Sequence, residues 1–264
     1  MAALSTIESE PFIKFFYVGD SSSGKTGSLV SLVKAGYKLR ILDMDSGIGI
    51  LASYIKKECP DKLGNVDVVS FRDKYGVKST GDIGVVGGAK ALVNAVKTLE
   101  KWDDGSTPKE WGTDTFLVLD TLTTLGKSAL AWAESMAPSA KDPRQWYFAA
   151  QQAIEGIVAM LMGPDVKTNV IIITHITARE LQDGSQKGFP ASGAGSALGP
   201  TLAKYCNTMV LAETSGFGEN VKRKIKTTPT GFVDLKTAAP FAMMASYDLG
   251  DGLAKIVENL KSNL

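Results

Sequence analysis

The stretch Phe12-Ile13-Lys14-Phe15-Phe16-Tyr17-Val18-Gly19-Asp20-Ser21-Ser22-Ser23-Gly24-Lys25-Thr26 decides how the chain is read. Gly19, Gly24, Lys25 and Thr26 fit the pattern G-x-x-x-x-G-K-[ST], the phosphate-binding P-loop. The apolar, aromatic run 12–18 reads as a buried strand, and Leu29, Leu32 and Val33 are spaced as one helix face. Strand, tight loop and helix are the setting that the motif requires. The two glycines allow close approaches and backbone angles that a side chain would block. Successive N–H groups of Asp20, Ser21, Ser22, Ser23 and Gly24, continuing to Gly27, then converge as an anion nest at a helix N-terminus. In this motif Lys25 reaches the β- and γ-phosphates and Thr26 places its hydroxyl on Mg²⁺. A Gly/Ser turn that happens to precede Lys-Thr would explain the letters, but not their place between a strand and a helix.

Length and composition bound what else the chain can be. Its 264 residues suffice for one large α/β domain, expected over 12–264 after a flexible segment at 1–11. Hydrophobic residues make up 44% and charged residues 22%, ordinary for a globular protein. A formal net charge of +1 gives no whole-chain field toward nucleic acid or membrane, so any DNA contact must come from local patches. Two cysteines, Cys59 and Cys206, and one histidine, His175, match no zinc spacing and no disulfide framework, and point to a cytoplasmic setting. Residues 1–10 lack the basic start and apolar core of a signal peptide. No apolar run has the length of a bilayer span, so no membrane partner is expected.

Taken in order, the chain alternates strands and helices. Strands are expected at 38–44, 65–71, 116–120, 170–175 and 209–212, and helices at 48–57, around 92–99, around 154–161 and around 253–260. Residues 72–86, 102–114, 133–144 and 184–200 read as loops, the last rich in Gly, Ser, Ala and Pro. Residues 221–228 and 231–237 read as a hairpin around Pro229-Thr230-Gly231. The fold class implied is α/β, a doubly wound, mostly parallel sheet with a C-terminal antiparallel hairpin. Ligands then bind at the strand C-terminal ends.

Four further features carry chemistry. Asp120 closes a continuous apolar strand and is placed to bind Mg²⁺ directly or through water; alone, such a run is often just a strand meeting a turn. Asp43 and Asp45 end the second strand, and Asp45 is the candidate for orienting the attacking water. Either acid would equally suit a turn or a helix N-cap. His175 ends the strand after Thr174 and is the candidate γ-phosphate sensor, against the reading of a satisfied structural histidine. Lys222, Arg223, Lys224 and Lys226 form the densest basic run. In a strand the three lysines share one face, suited to DNA backbone, to phosphate across a subunit interface, or to guarding a sheet edge.

Together these landmarks resemble the RecA-like P-loop ATPases, especially the compact RecA-type recombination and single-strand annealing ATPases of phages. The resemblance covers about 12–245. Leu42-Asp43-Met44-Asp45 falls where the family carries an acid-x-Glu whose Glu activates water; Asp45 is one methylene shorter. Leu117-Val118-Leu119-Asp120-Thr121 matches the Walker B strand, and Ile173-Thr174-His175 falls at the family's polar γ-phosphate sensor. The stretch 193–198, with Gly193 and Ser196, resembles the DNA-binding loop. The resemblance implies Mg²⁺ and ATP as cofactors, single-stranded DNA as partner, a homo-oligomeric ring or filament with nucleotide between subunits, and a single-strand-binding protein as a further partner. A phage-encoded protein acting in the bacterial host cytoplasm would fit. Room is lacking for the flanking domains of RecA. A RecA-core helicase, or a nucleotide-switched assembly protein with slow hydrolysis, would share the same core; stimulation of ATPase by single-stranded DNA separates the assembly protein from the others. The motif yields a first prediction: Lys25→Ala abolishes hydrolysis and greatly weakens ATP binding while the circular dichroism of the fold is unchanged. Wild-type turnover in that variant would remove the P-loop reading.

Overall fold

The computed structural model describes residues 11–79 and 81–263. The segment expected to be flexible therefore lies outside the described residues, apart from Pro11. From the N-terminus the elements are β1 (Lys14–Gly19), α1 (Lys25–Ser28), α2 (Val30–Lys34), β2 (Lys38–Asp43), α3 (Gly49–Glu58) and β3 (Val66–Ser70). There follow β4 (Tyr75–Val77), β5 (Ile83–Val85), α4 (Ala91–Glu100), β6 (Gly112–Asp120), α5 (Leu122–Met136) and α6 (Arg144–Met162). The rest comprises β7 (Thr168–Thr174), β8 (Ile176–Glu180), β9 (Gln186–Pro190), α7 (Gly199–Leu202), β10 (Thr208–Ser215), β11 (Lys222–Lys226), β12 (Ser246–Asp248) and α8 (Leu249–Lys261).

Eight strands form one sheet in the order β12-β11-β10-β1-β7-β6-β2-β3. The six from β10 to β3 run parallel, and β11 and β12 add an antiparallel edge. Alternation along each strand explains why helices cover both faces. Phe16 and Val18 of β1, with Leu117 and Leu119 of β6, pack on α4, α5 and α6. Phe15 and Tyr17, with Phe116 and Val118, pack on α2, α3 and α8. Each side chain so buried contributes about 1.5–3 kcal/mol relative to exposure. The doubly wound, mostly parallel α/β fold expected from the sequence is what forms.

Four local expectations are corrected. Residues 72–86 are not simply a loop, because Tyr75, Val77, Ile83 and Val85 alternate with glycines and pair as the hairpin β4–β5. Residues 184–200 are not simply a loop either: 186–190 form β9, antiparallel to β8. The stretch 133–144 is shorter than expected as irregular chain, since α5 runs to Met136 and α6 starts at Arg144. The segment 221–228 does not pair with 231–237. It forms β11 between β10 and β12, while 231–237 crosses to the other face. Ile225 is buried on the α8 side and Val233 and Leu235 on the α5–α6 side, so a hairpin would have left one set in water.

The chain after β9 is held against α5. A Cβ on Gly126 would lie 1.7 Å from the Ser192 carbonyl oxygen, and one on Gly193 would lie 1.8 Å from that of Thr123. Such an approach of backbone to helix needs glycine on both sides. Gly126→Ala is therefore expected to destabilise the protein by about 1–3 kcal/mol through overpacking. Urea denaturation measures this; an unchanged midpoint would mean that the loop moves away at no cost.

Candidate nucleotide site

The parallel strands bring their C-terminal ends to one edge. Gly19 pairs with Ala212, Val18 with Thr174, and Asp43 with Asp120. The loop after β1 thus lies beside the ends of β6 and β7. Gly24 caps α1 with φ 94°, a left-handed angle that glycine adopts without strain. Ser22 is also left-handed, with φ 63°. The two left-handed residues curl the loop tightly, and the Ser23 N–H donates to the Asp20 carbonyl at 3.3 Å.

Lys25 is 6% exposed, and its Nζ donates to the carbonyls of Gly19 at 2.8 Å and Asp20 at 2.7 Å. Burial pushes its pKa down to about 8, against the raising influence of Asp120, Asp20 and Asp45. Thr26 Oγ1 donates to Asp120 Oδ2 at 2.7 Å. Asp120 is 2% exposed. Burial pushes its carboxyl up to about 6; Thr26 works against this, and Asp45 and Asp43 add to it.

The two acids that end β2 separate in role. Asp43 is buried, ion-paired to Arg72 Nη2 at 2.9 Å, and accepts from Ser70 Oγ and from the N–H groups of Asp45 and Ser46. All its oxygens are engaged by the fold. Asp45 instead faces the cleft. It accepts from Thr121 Oγ1 at 3.1 Å and lies 3.8 Å from His175 Nε2. Burial opposes its charge, but the polar groups of His175, Thr124 and Thr121 outweigh this and hold it below the usual carboxylate range.

A cleft of about 680 Å³ joins these groups. Its lining carries Ser21, Ser22, Gly24, Lys25, Thr26, Asp45, Asp120, Thr121 and His175. It also includes apolar side chains, Val30, Ile50 and Tyr54. Tyr54 lies on Gly27, where a Cβ would meet its ring at 2.9 Å. Ile50, Tyr54 and Glu58 were missed by sequence reasoning, though their i, i+4, i+8 spacing on α3 marks one helix face. Arg223 also lines the cleft, whereas Lys222 and Lys224 point outward from the other face of β11 and Lys226 lies 3.7 Å from Glu213. Gly193 is packed on α5, and Ser196 is exposed. Among the described residues no cluster of three or more His, Cys, Asp or Glu is arranged to hold a metal alone. The hydroxyl of Thr26 and the carboxylate of Asp120 nevertheless fit Mg²⁺, which takes oxygen ligands and commonly uses one or two carboxylates plus substrate phosphates. No helix among the described residues is long and apolar enough to cross a membrane.

No family model and no curated protein matches the sequence. Among solved structures the chain is similar to the RadB recombinase at 13% identity, with 91% of this chain and 89% of that chain covered and a TM-score of 0.49. It is similar to a KaiC-like protein from the archaeon Pyrococcus horikoshii at 12% identity, with 91% and 88% covered and a TM-score of 0.45. It is also similar to the flagellar accessory protein FlaH from Methanocaldococcus jannaschii at 9% identity, with 89% and 83% covered and a TM-score of 0.41.

The state of Asp120 predicts a pH dependence. Its carboxyl, raised from 3.8 to about 6, keeps its proton to higher pH in the folded than in the unfolded chain. Stability without metal or nucleotide should therefore fall as pH rises from about 4 to about 6, by up to about 3 kcal/mol. Asp120→Asn should lose this slope, so the difference in unfolding free energy between variant and wild type grows across that range. Parallel urea curves at every pH would mean that Asp120 is not desolvated.

Proposed function

We propose that the chain binds Mg²⁺-ATP in this cleft, hydrolyses it, and uses the cycle to act on single-stranded DNA as a recombination or annealing protein. The observation that carries the reading is the convergence, at one sheet edge, of a buried lysine inside a phosphate loop, a Thr26–Asp120 pair and an ionised Asp45. Lys25 exchanges its loop carbonyls for phosphate oxygens. Thr26 and Asp120 hold Mg²⁺, which when bound supplies charge neutralisation at the β- and γ-oxygens. Asp45, held below the ordinary carboxylate range, presents an ionised carboxylate to the cleft. It orients water as a hydrogen-bond acceptor in line with the leaving β–γ bridging oxygen, which departs with ADP, and accepts the water's proton only as the new bond to phosphorus forms. The apolar side chains of Ile50 and Tyr54 receive the base.

The DNA half of the proposal rests on what surrounds His175. Its N–H donates to Thr123 Oγ1, and its carbonyl accepts from Ala191 N. The residue stands between β7 and β8, so a phosphate contact there acts at the root of the β8–β9 hairpin. Lys222, Lys224 and Lys226 supply a basic face for a phosphate backbone. Arg223 and the start of α8 line the cleft, and in a homo-oligomer a neighbouring subunit would cover it.

ATPase rate with and without single-stranded DNA is the test. DNA should stimulate the wild type severalfold. Asp45→Asn should bind ATP normally but turn over at least tenfold more slowly; if Asp43→Asn alone did so, the water-positioning assignment would be wrong. His175→Ala should lose DNA stimulation out of proportion to any loss of basal rate. A wild type indifferent to DNA would leave an ATPase with another effector.

A further inference from the structure

The structure assigns Arg223 to the nucleotide rather than to the lysines beside it. This rests on the nucleotide reading of the cleft and extends it to a cation that does not belong to the P-loop. In β11, Lys222, Lys224 and Lys226 share one face and Arg223 and Ile225 share the other. Ile225 is fully buried in the core formed with α8. Register then fixes where Arg223 stands. Gly19 pairs with Ala212 of β10, Ala212 pairs with Ile225, and two residues further along β10 Thr214 pairs with Arg223. Arg223 is thus two residues past the point at which β1 leaves the sheet as the phosphate loop, on the side where the loop overhangs.

Its side chain leans back over that loop. A Cβ on Gly24 would lie 3.3 Å from Arg223 Cδ, and Arg223 Nε donates to the Ser22 carbonyl at 3.3 Å. Among the described residues no carboxylate lies within ion-pair distance of its guanidinium. A guanidinium has five N–H donors, and here one is engaged, by a neutral oxygen at long range. An uncompensated planar cation at the lip of an anion nest fits phosphate oxygens two at a time. We propose that Arg223 contacts the phosphate chain of the bound nucleotide within the same subunit, adding a second positive charge to that of Lys25.

Two other uses of the same residue make different demands. A brace for the Ser22 carbonyl needs a donor and stabilises the loop without nucleotide. A contact to sugar or base needs a hydrogen bond but no charge. The experiment is the Kd of Mg²⁺-ATP for wild type, Arg223→Ala, Arg223→Gln and Arg223→Lys at two salt concentrations, with thermal midpoints of the nucleotide-free proteins. Loss of a charge-assisted pair should weaken ATP binding about tenfold or more in the Ala and Gln variants. The Lys variant should recover part of it, wild-type affinity should be the most salt-sensitive, and the nucleotide-free midpoints should agree. Unchanged affinity in Arg223→Ala overturns the proposal. So does recovery by Gln equal to that by Lys, which marks a neutral contact, or a fall in the nucleotide-free midpoint that accounts for the whole effect, which marks a brace. Lys25→Ala measured alongside keeps the two claims apart: if it binds ATP like wild type the cleft reading fails, whatever Arg223 does.

Discussion

A buried ammonium must be solvated by something, and in this protein the Lys25 ammonium is solvated by its own loop. Its two short bonds go to the carbonyls of Gly19 and Asp20, not to a carboxylate. That arrangement requires the chain to double back tightly between residues 19 and 25, which is why Gly24 and Ser22 are left-handed. Carbonyl dipoles compensate only in part for lost water, and the depressed pKa of about 8 reports the shortfall. An arriving anion removes it. The rest of the architecture holds this loop in place: β1 lies between β7 and β10, with both of its faces covered by apolar side chains.

The same edge carries two buried carboxylates in register, Asp43 and Asp120. Their surroundings set their roles. Asp43 meets a guanidinium, a hydroxyl and two backbone N–H groups. Asp120 has the Thr26 hydroxyl and a lysine whose donors face elsewhere. One carboxylate is compensated by the fold, while the other is buried with little to offset its charge. A divalent cation at Thr26 and Asp120 would relieve that imbalance, as a phosphate would relieve Lys25. On the proposed reading, each component of a metal–nucleotide complex would remove a cost already present.

Much of this was legible in the sequence, for a physical reason. Strands of a parallel sheet covered on both faces read as unbroken apolar runs, so β1, β6 and β7 stand out, and Gly19 and Asp120, which close two of them, and His175, which directly follows the third, fall at their C-terminal edge. What stayed hidden depends on partners distant in the chain. Arg72, which neutralises Asp43, comes 29 residues later. The neighbour of β11 is β12, beyond a segment that looked like a hairpin arm. The hairpins β4–β5 and β8–β9 hid in glycine-containing stretches whose few apolar residues alternate too briefly to announce strands. Arg223 was legible as a cation but not as a cleft residue, because the strand boundaries and register of β11 decide which face it takes.

The connection from the cleft to the chain beyond β9 runs through Thr123. Thr121 caps α5, so the helix begins directly after Asp120, and Thr123 lies in its first turn. Thr123 Oγ1 lies 2.9 Å from Thr174 Oγ1, accepts from His175 N and reaches the Ala191 carbonyl. One hydroxyl therefore joins the helix after β6, the end of β7 and the exit of the β8–β9 hairpin. One turn further along α5, Gly126 and Gly193 leave no space between helix and loop. Packed elements of this kind shift between discrete arrangements rather than deforming smoothly. A displacement of the start of α5 on loading of Asp120 would thus have to be passed to residues 191–193, and a displacement of those residues would be felt at Asp120. The contacts are short and in both directions, which is the physical condition for nucleotide and a second ligand to alter each other's affinity by the same factor.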